Sequence, residues 1–305
     1  MDLASGEAAR RRARVGLLQV SAAGVLWGTG GLVVTVLHER DGLGAMTVSA
    51  WRMALAAIAL IGFAAVTRRL GAVLATMRTH PVRAVVVGCG TAAYQGLYFV
   101  SVLLVGVSIA TVVALGLAPI LAAAWEHLRA RTRPSVREAG VLAAALAGLI
   151  LISGTAAPGD APGLGLILAV TAGATYAATT VLGHTLAQRV DPVALTTCAT
   201  AAGAIALAPF VGVAAARGEP IIGDYALLAY LGVATMAVAY GLLYAGLRTT
   251  SGSAATVATL LEPLSAALLA ALLLGERLTQ PALIGGAFIL AAVAALHPIG
   301  ADGRR

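Results

Sequence analysis

The sequence predicts an all-α polytopic membrane protein whose ten transmembrane helices form two five-helix repeats of inverted topology. Three observations carry that prediction. Apolar stretches of about 20 residues recur from end to end of a 305-residue chain that is 60% hydrophobic and only 11% charged. The arginines concentrate in alternate loops. The second half repeats features of the first at a nearly constant offset.

Soluble domains run at about 25% charged residues, so a chain at 11% cannot cover a water-facing surface. Alternating patterns of strand length are absent, which argues against an outer-membrane barrel. A net charge of +7 would suit a nucleic-acid binder, yet all 20 basic residues are arginine and lie in short clusters between apolar runs. That placement fits loop charges that orient a membrane protein and meet anionic lipid, so membrane lipid is the expected partner and nucleic acid is not. Cys89 and Cys198 both fall inside predicted spans, which indicates no disulfide framework. RRRAR ahead of VGLLQV resembles the start of a signal peptide. No A-x-A-like cleavage site follows a short apolar core, so the segment reads as an uncleaved first helix.

The spans follow from where turn chemistry and charge interrupt the apolar runs. Span one, 16–37, lies between the basic tail (1–15) and HERDG (38–42); span two, 46–66, ends at TRRLG (67–71). Spans three and four, 82–104 and 107–127, are parted only by the break near VGVS (105–108). RTRPS (131–135) closes span four, and span five, 137–154, runs into APGDAPG (157–163). Spans six and seven, 163–187 and 193–215, lead to ARGEP (216–220), and spans eight and nine are 225–246 and 253–275. GERLT (275–279) precedes span ten, 281–297, and a short tail, 298–305. The predicted units are a first repeat at 16–154, an external linker at 155–162 and a second repeat at 163–297.

Sorting the arginines by loop tests the span count. Even-numbered loops with the span ends beside them and the two tails hold 16; odd-numbered loops hold only Arg40, Arg217 and Arg277; Arg52 alone lies deep within a span. The positive-inside rule then places both termini in the cytoplasm.

The repeat is visible at four places. A shift of 144 sets Pro119 on Pro263 and also matches Ala110, Val113, Ala114 and Leu117 to Ala254, Val257, Ala258 and Leu261. Ile58–Leu60 falls on Ile205–Leu207 at 147, Trp27 and Gly24 on Tyr176 and Gly173 at 149, and Tyr94 and Tyr98 on Tyr240 and Tyr244 at 146. Five spans per unit is an odd number, so a second copy must enter the membrane the other way up. Such repeats place a binding site near the midplane between the halves.

SAWRMALAAIAL in span two, ATVATLLEPLSAALLAALLLGERLT in span nine and the matching ATVVALGLAP in span four resemble the drug/metabolite transporter superfamily. The likeness is to its EamA-type form with two repeats and covers roughly residues 16 to 297. Glu-Pro followed by Gly-Glu-Arg-Leu-Thr is its most specific part. The first copy departs from it, with Ala118 in place of the glutamate and RARTRPS where the family often keeps Gly-Glu-Arg. The resemblance implies ten helices, a central cavity and secondary transport, commonly export, of small metabolites through the cell membrane. It leaves the solute open among amino acids, nucleobases, sugars and drugs.

Several polar residues lie where only lipid or a cavity surrounds them. Glu262, about ten residues into its span, costs about 3 kcal/mol on insertion scales. It reads either as a proton- or cation-coupling group facing a cavity or as the answer to a local backbone problem. Pro263 lacks an N–H and leaves the Thr259 carbonyl without its helical donor, a gap that a protonated Glu262 or the Thr256 hydroxyl would repair. Pro119 and Pro263, at matching mid-span positions, read as hinges of gating helices or as packing residues. Arg52 either binds a substrate carboxylate or pairs with Glu262, or it snorkels to the external surface beside Trp51. Its repeat counterpart is Ala199, which favours the snorkel. Trp27, Tyr176, Tyr94, Tyr98, Tyr240 and Gln95 are candidate cavity-lining residues, with helix packing or an interfacial belt as the rival role. Gly24 and Gly28 form a GxxxG, a small-residue signal for close helix packing.

No metal constellation and no phosphate-binding glycine loop is present, so neither a cofactor nor direct ATP drive is expected. The leading expectation is a secondary carrier of a small-molecule solute, coupled to protons through Glu262, its site built by spans one, three, four, six, eight and nine. An intramembrane enzyme would need clustered acid, base, nucleophile or metal ligands, and the spans supply only Glu262, Arg52, His184 and scattered hydroxyls. A non-transporting partner subunit would not require polar mid-span residues.

Overall fold

In a computed structural model, residues 3–153, 161–273 and 279–296 are described. Most of the predicted linker, GERLT up to Leu278 and the C-terminal tail lie outside them. The elements are α1 (Leu3–Asp41), α2 (Ala45–Val66), α3 (Leu70–Thr79), α4 (Pro81–Val105), α5 (Val107–Ala130), α6 (Val136–Ser153), α7 (Pro162–Ala187) and α8 (Pro192–Ala216). Span eight is composite: α9 (Tyr225–Tyr230), a π-helical segment (Leu231–Val238) and α10 (Ala239–Gly246). Span nine is α11 (Gly252–Ala258) and α12 (Leu261–Leu273), and span ten is α13 (Gln280–Ala295). Among the described residues, nine helical stretches are long and apolar enough to cross a bilayer, and α13 is a shorter tenth.

Local chemistry sets the boundaries. The break between α4 and α5 is a single residue, Gly106, at φ +91°, a backbone region that L side chains rarely adopt. Asp191 caps α8, its Oδ1 accepting from the amides of Val193 and Ala194 at 3.0 and 3.1 Å, with Pro192 at the first helical position. Asp224 caps α9 in the same way, at 2.8 and 3.1 Å. Two regions differ from the expected pattern. The stretch after TRRLG forms α3, held against α8 by buried Thr76 and by an ion pair between Arg69 and Asp191 at 3.2 Å. Spans eight and nine are interrupted helices rather than single rods.

The helix packing is symmetric under exchange of the two halves. α4 packs on α7 as α10 and the π segment pack on α1; α5 on α7 as α12 and α11 on α1; α4 on α8 as the π segment and α9 on α2. The pairs α2–α8, α6–α13 and α5–α11 map onto themselves. Corresponding contacts sit at opposite ends of the bundle. At the end rich in arginine, Thr249 Oγ1 donates to the Arg12 carbonyl at 3.2 Å, and a Cβ on Gly16 would meet the Gly246 carbonyl at 3.0 Å. At the arginine-poor end, Ala161 N donates to the Leu104 carbonyl at 3.2 Å, and a Cβ on Gly165 would meet Val105 N at 2.8 Å. A twofold axis lying across the helices produces this arrangement.

Apolar side chains outside the core point outward, as lipid contact requires; the repeat-matched Ile58 and Ile205 are 65% and 76% exposed. The topology makes a prediction. In a cysteine-free background, single cysteines at Arg133 and Arg217 will label from opposite faces of the membrane, Arg217 in intact cells and Arg133 only after permeabilisation. Labelling of both from one face would refute the inverted arrangement.

Candidate functional site

Between the halves lies a cavity of about 340 Å³, within the ~300–1,000 Å³ range of small-molecule sites. In α1 its wall runs from Trp27 through Gly31 to Thr35, and in α4 from Tyr94 and Gln95 through Tyr98 to Val102. Both runs lead from mid-helix towards the arginine-poor end, where Gly31 and Thr35 are exposed. Arg52 of α2, Tyr176 of α7, Met236 and Tyr240 of span eight and Glu262 of α12 complete the wall.

Thus Trp27, Arg52, Tyr94, Gln95, Tyr98, Tyr176, Tyr240 and Glu262 are brought to one cavity. Pro119 lies instead in a separate groove of about 650 Å³ near the arginine-rich end, and Pro263 lines neither cavity. α5 runs through Pro119 without interruption. Span four, expected in the wall, contributes only indirectly, through Thr111, whose hydroxyl bonds the Tyr98 hydroxyl at 2.7 Å. Span two, not expected there, contributes Arg52.

The inner end of the cavity is aromatic. Tyr94 stacks on Tyr176 at 4.8 Å between ring centroids, Trp27 tilts against Tyr240 at 5.0 Å, and Tyr240 leans on Tyr244 at 6.1 Å. Such offset and tilted pairs add about 0.5–1.5 kcal/mol each beyond area burial. Beneath them Thr91, Thr179, Thr180 and Tyr244 leave a void of only about 10 Å³. The cavity is therefore shut towards the arginine-rich end.

The π-helical segment positions two of these groups. Widening the helix shifts the backbone register and turns a carbonyl outward, a common device at functional sites. The Thr235 carbonyl accepts from Trp27 Nε1 at 2.9 Å, and the Thr235 hydroxyl accepts from Arg52 Nη2 at 3.2 Å while donating to the Leu231 carbonyl at 2.7 Å. Arg52 is thereby held inside the bundle, so the snorkelling expectation is corrected. Trp51 goes the other way and donates to the Ile221 carbonyl at 2.6 Å.

The interruption of span nine positions Glu262. With no N–H on Pro263, the Thr259 carbonyl accepts from the Glu262 backbone N–H at 2.9 Å instead. Thr256 Oγ1 donates to Gly252 and Ser253, and Thr259 Oγ1 is shared between the Thr256 carbonyl and the Tyr176 hydroxyl. The repair expected of the Glu262 or Thr256 side chain is thus made by backbone. The Glu262 carboxyl has no hydrogen-bond or ion-pair partner among the described residues, and its pairing with Arg52 is not formed within 4.0 Å.

α1 fixes this kink by close approach. A Cβ on Gly28 would stand 2.5 Å from the Glu262 carbonyl and overlap Ser265 Oγ, and one on Gly24 would stand 3.1 Å from Thr259 Cα. In the other half Gly173, the counterpart of Gly24, faces Ala114, the counterpart of Ala258. At the arginine-rich end Glu126 of α5 reaches across to α11. Its Oε1 accepts from Ser253 N at 3.1 Å, and its Oε2 accepts from the Ser253 hydroxyl.

Thr235 and Glu126 escaped the sequence reading. Thr235 is a lone hydroxyl in an apolar run, and nothing in VATMAV signals a π segment. Glu126 sits in a charged cluster at a helix end, where a solvated role is the default. Thr259 had a signal, since it stands four residues before Pro263. Among the described residues no cluster of three or more His, Cys, Asp or Glu could hold a metal.

A helical multi-pass membrane protein with an aromatic, charge-bearing cavity between symmetric halves has the build of a solute carrier. Comparison with known proteins narrows this. The EamA-like transporter family matches residues 14–154 and again 163–296, and the chain belongs to that family. It is 29% identical over 275 residues, 90% of each chain, to the uncharacterized transporter YwfM of Bacillus subtilis (strain 168). It is 24% identical to the uncharacterized inner membrane transporter YicL of Salmonella typhimurium, over 92% of this chain and 94% of that one. A crystal structure superposes with a TM-score of 0.76 at 18% identity, covering 92% of this chain and 95% of the other, a likeness of fold alone. Family and relatives point to a membrane transporter rather than an enzyme.

Gly28→Val will force α1 off the Glu262 backbone and destabilise the protein by about 1–3 kcal/mol, read as a fall in thermal midpoint of the detergent-purified protein. Gly62→Ala, whose Cβ meets nothing within 4 Å inside α2, is the control and will not lower the midpoint.

Proposed function

We propose that this chain is a secondary carrier that exports a small metabolite or drug-like solute by alternating access, with proton exchange at Glu262. Both termini are cytoplasmic in this reading, and residues 16–154 and 163–297 are the units that rock. The carrying observation is the one-sided cavity, with walls from both halves, open towards the arginine-poor end and shut by aromatic rings at the other. In this reading the positive-inside rule makes the open end external, the side to which an exported solute leaves.

Closure at the inner end has a specific tie. Glu126 joins α5 to the start of α11 across the two halves, while α12 packs away on α1, α6 and α13. Spans four and nine meet at the arginine-rich end through α5 and α11, and access from that side requires this contact to open. Glu126→Ala removes a cap of about 1 kcal/mol. It will shift the balance towards the inner-open state by about fivefold, measured as faster labelling of a cysteine at Thr180 from the cytoplasmic side. An unchanged labelling rate would show that the tie does not hold the gate.

Proton coupling rests on the free Glu262 carboxyl, which shares the cavity with Arg52 and with Tyr94, Tyr98, Tyr176 and Tyr240. A carboxyl inside an apolar layer that is relieved of structural duty is by default a functional group. In proteoliposomes loaded with a metabolite panel, an inward proton gradient will accelerate solute release by the wild type. Glu262→Gln will fold and will lose the dependence on the gradient. A variant with unchanged flux and pH profile refutes the coupling and leaves carrier function standing.

A further inference from the structure

The groove of about 650 Å³ that holds Pro119 is larger than the central cavity and shares no residue with it. α5, α6, α11 and the last residues of α13 and beyond build it, at the arginine-rich end. We propose that it is a binding site for one anionic phospholipid of the adjoining leaflet. An acyl chain lies along the groove, and the phosphate sits at the arginines of the turn between α5 and α6.

Along its length the walls are apolar, formed by Pro119, Ile120 and Ala123 of α5, Val141 and Leu142 of α6 and Val257 of α11. The run of α5 from Pro119 to His127 is about 12 Å long, a path for an extended hydrocarbon chain. Ile120 is 40% exposed and does not line the central cavity, so the groove opens on the outer surface of the bundle. Lipid is what covers such a surface in a bilayer. Trp125, one turn further along α5, is exposed as well, which sets this end of the groove at headgroup level.

The mouth of the groove is basic. Arg131 ends α5 at φ +53°, and the chain folds back there: Thr132 N donates to the His127 carbonyl at 3.0 Å, and Thr132 Oγ1 bonds His127 Nδ1 at 3.0 Å. This turn brings Pro134, Ser135 and Arg137 to the groove, and Arg129, Arg131, Arg133 and Arg137 are all exposed on it. Arg137 Nη2 donates to the Ala295 carbonyl of α13, which sets its guanidinium across the end of the groove. The carboxylates nearby are engaged. Glu138 accepts from Ser135 N and Oγ at 2.7 and 2.8 Å and stands 3.8 Å from His127 Nε2, and Glu126 is bound by Ser253. Four guanidiniums against two engaged carboxylates leave the mouth positive. A phosphate diester is the anion that a membrane presents at this depth, and guanidinium groups match it. A zwitterionic headgroup brings its own cation to the same arginines, and a second copy of this chain would bring further guanidiniums to them.

The test is lipid retention by the detergent-purified full-length protein, read by native mass spectrometry. The probes are dioleoyl phosphatidylglycerol and dioleoyl phosphatidylcholine at equal concentration, which share their chains and differ in net charge. The wild type will retain the anionic lipid about 10-fold better. Arg133→Gln/Arg137→Gln will lose that preference. Arg78→Gln/Arg83→Gln, which removes exposed arginines of α3 and α4 outside the groove, will keep it. Ala123→Phe fills the groove and will lower retention of both lipids. A phosphatidylglycerol with a photoreactive acyl chain will label Ile120–Ala124 and Val141–Leu142 of the wild type, and sn-glycerol 3-phosphate at about 10 mM will not compete. Equal retention of the two lipids, an equal loss in both arginine variants, or labels that fall elsewhere overturns the proposal. Competition by glycerol phosphate would make this a soluble-anion site, and a dimer joined across α5 and α6 would make a second copy the occupant. Labelling gained only when residues 298–305 are removed would assign the groove to the end of the chain itself. The wild-type comparison and the label positions decide the matter even if a variant fails to fold.

Discussion

A carboxyl and a guanidinium that share one cavity inside an apolar layer, without a direct ion pair between them, constrain everything around them. Each is expensive to hold there, and a direct ion pair would be the cheapest resolution. The fold instead keeps them on different helices and meets their demands separately. Arg52 is steadied by a threonine that a π-helical segment turns towards it. Glu262 is released from backbone repair because its own N–H serves the carbonyl orphaned by Pro263. Both solutions are local irregularities in otherwise regular helices, and both lie where the two halves face each other.

Those irregularities explain why small residues concentrate on α1. A helix interrupted at Thr259 and Leu260 offers no smooth groove, so its neighbour must approach on backbone alone, and Gly24 and Gly28 permit that. The same contact recurs between Gly173 and Ala114 in the other half, where α5 is unbroken. One packing solution therefore supports two different helices. The first repeat keeps a continuous span with Ala118 at the position of Glu262 and ends it with Glu126. The second repeat breaks the span and places the carboxyl at its middle. The two copies share a frame and differ at these positions.

What was legible in the sequence follows the strength of each physical signal. Long apolar runs fix the spans because the bilayer demands them, and even the one-residue turn at Gly106 was marked by its glycine. Mid-span Trp27, Tyr94, Gln95, Tyr176 and Glu262 stood out as polar or amphipathic groups where lipid would exclude them, and the cavity collects them. The snorkel favoured for Arg52 is not what forms, because a guanidinium a third of the way into a span can reach either the surface or the interior. The outcome depends on Thr235, 183 residues away. α3 was missed because its ten residues carry no span-length signal and gain their order from α8 and from the Arg69–Asp191 pair. A π segment leaves no compositional trace, since it differs from an α-helix only in register. The legible features were those that lipid imposes on single residues; the hidden ones depend on contacts between distant segments.

The asymmetry between the two ends of the bundle is itself informative. The arginine-rich end is closed here by two features that are absent or differently placed at the corresponding positions of the other half. One is Glu126, whose counterpart by the repeat offset is Ala270; the other is Tyr244, buried beneath Tyr240. Tyr98, its counterpart, instead lines the open cavity and bonds Thr111. Equivalent tyrosines thus do opposite work, one as part of the floor and one as part of the wall. The two halves of one chain hold equivalent tyrosines in two different environments.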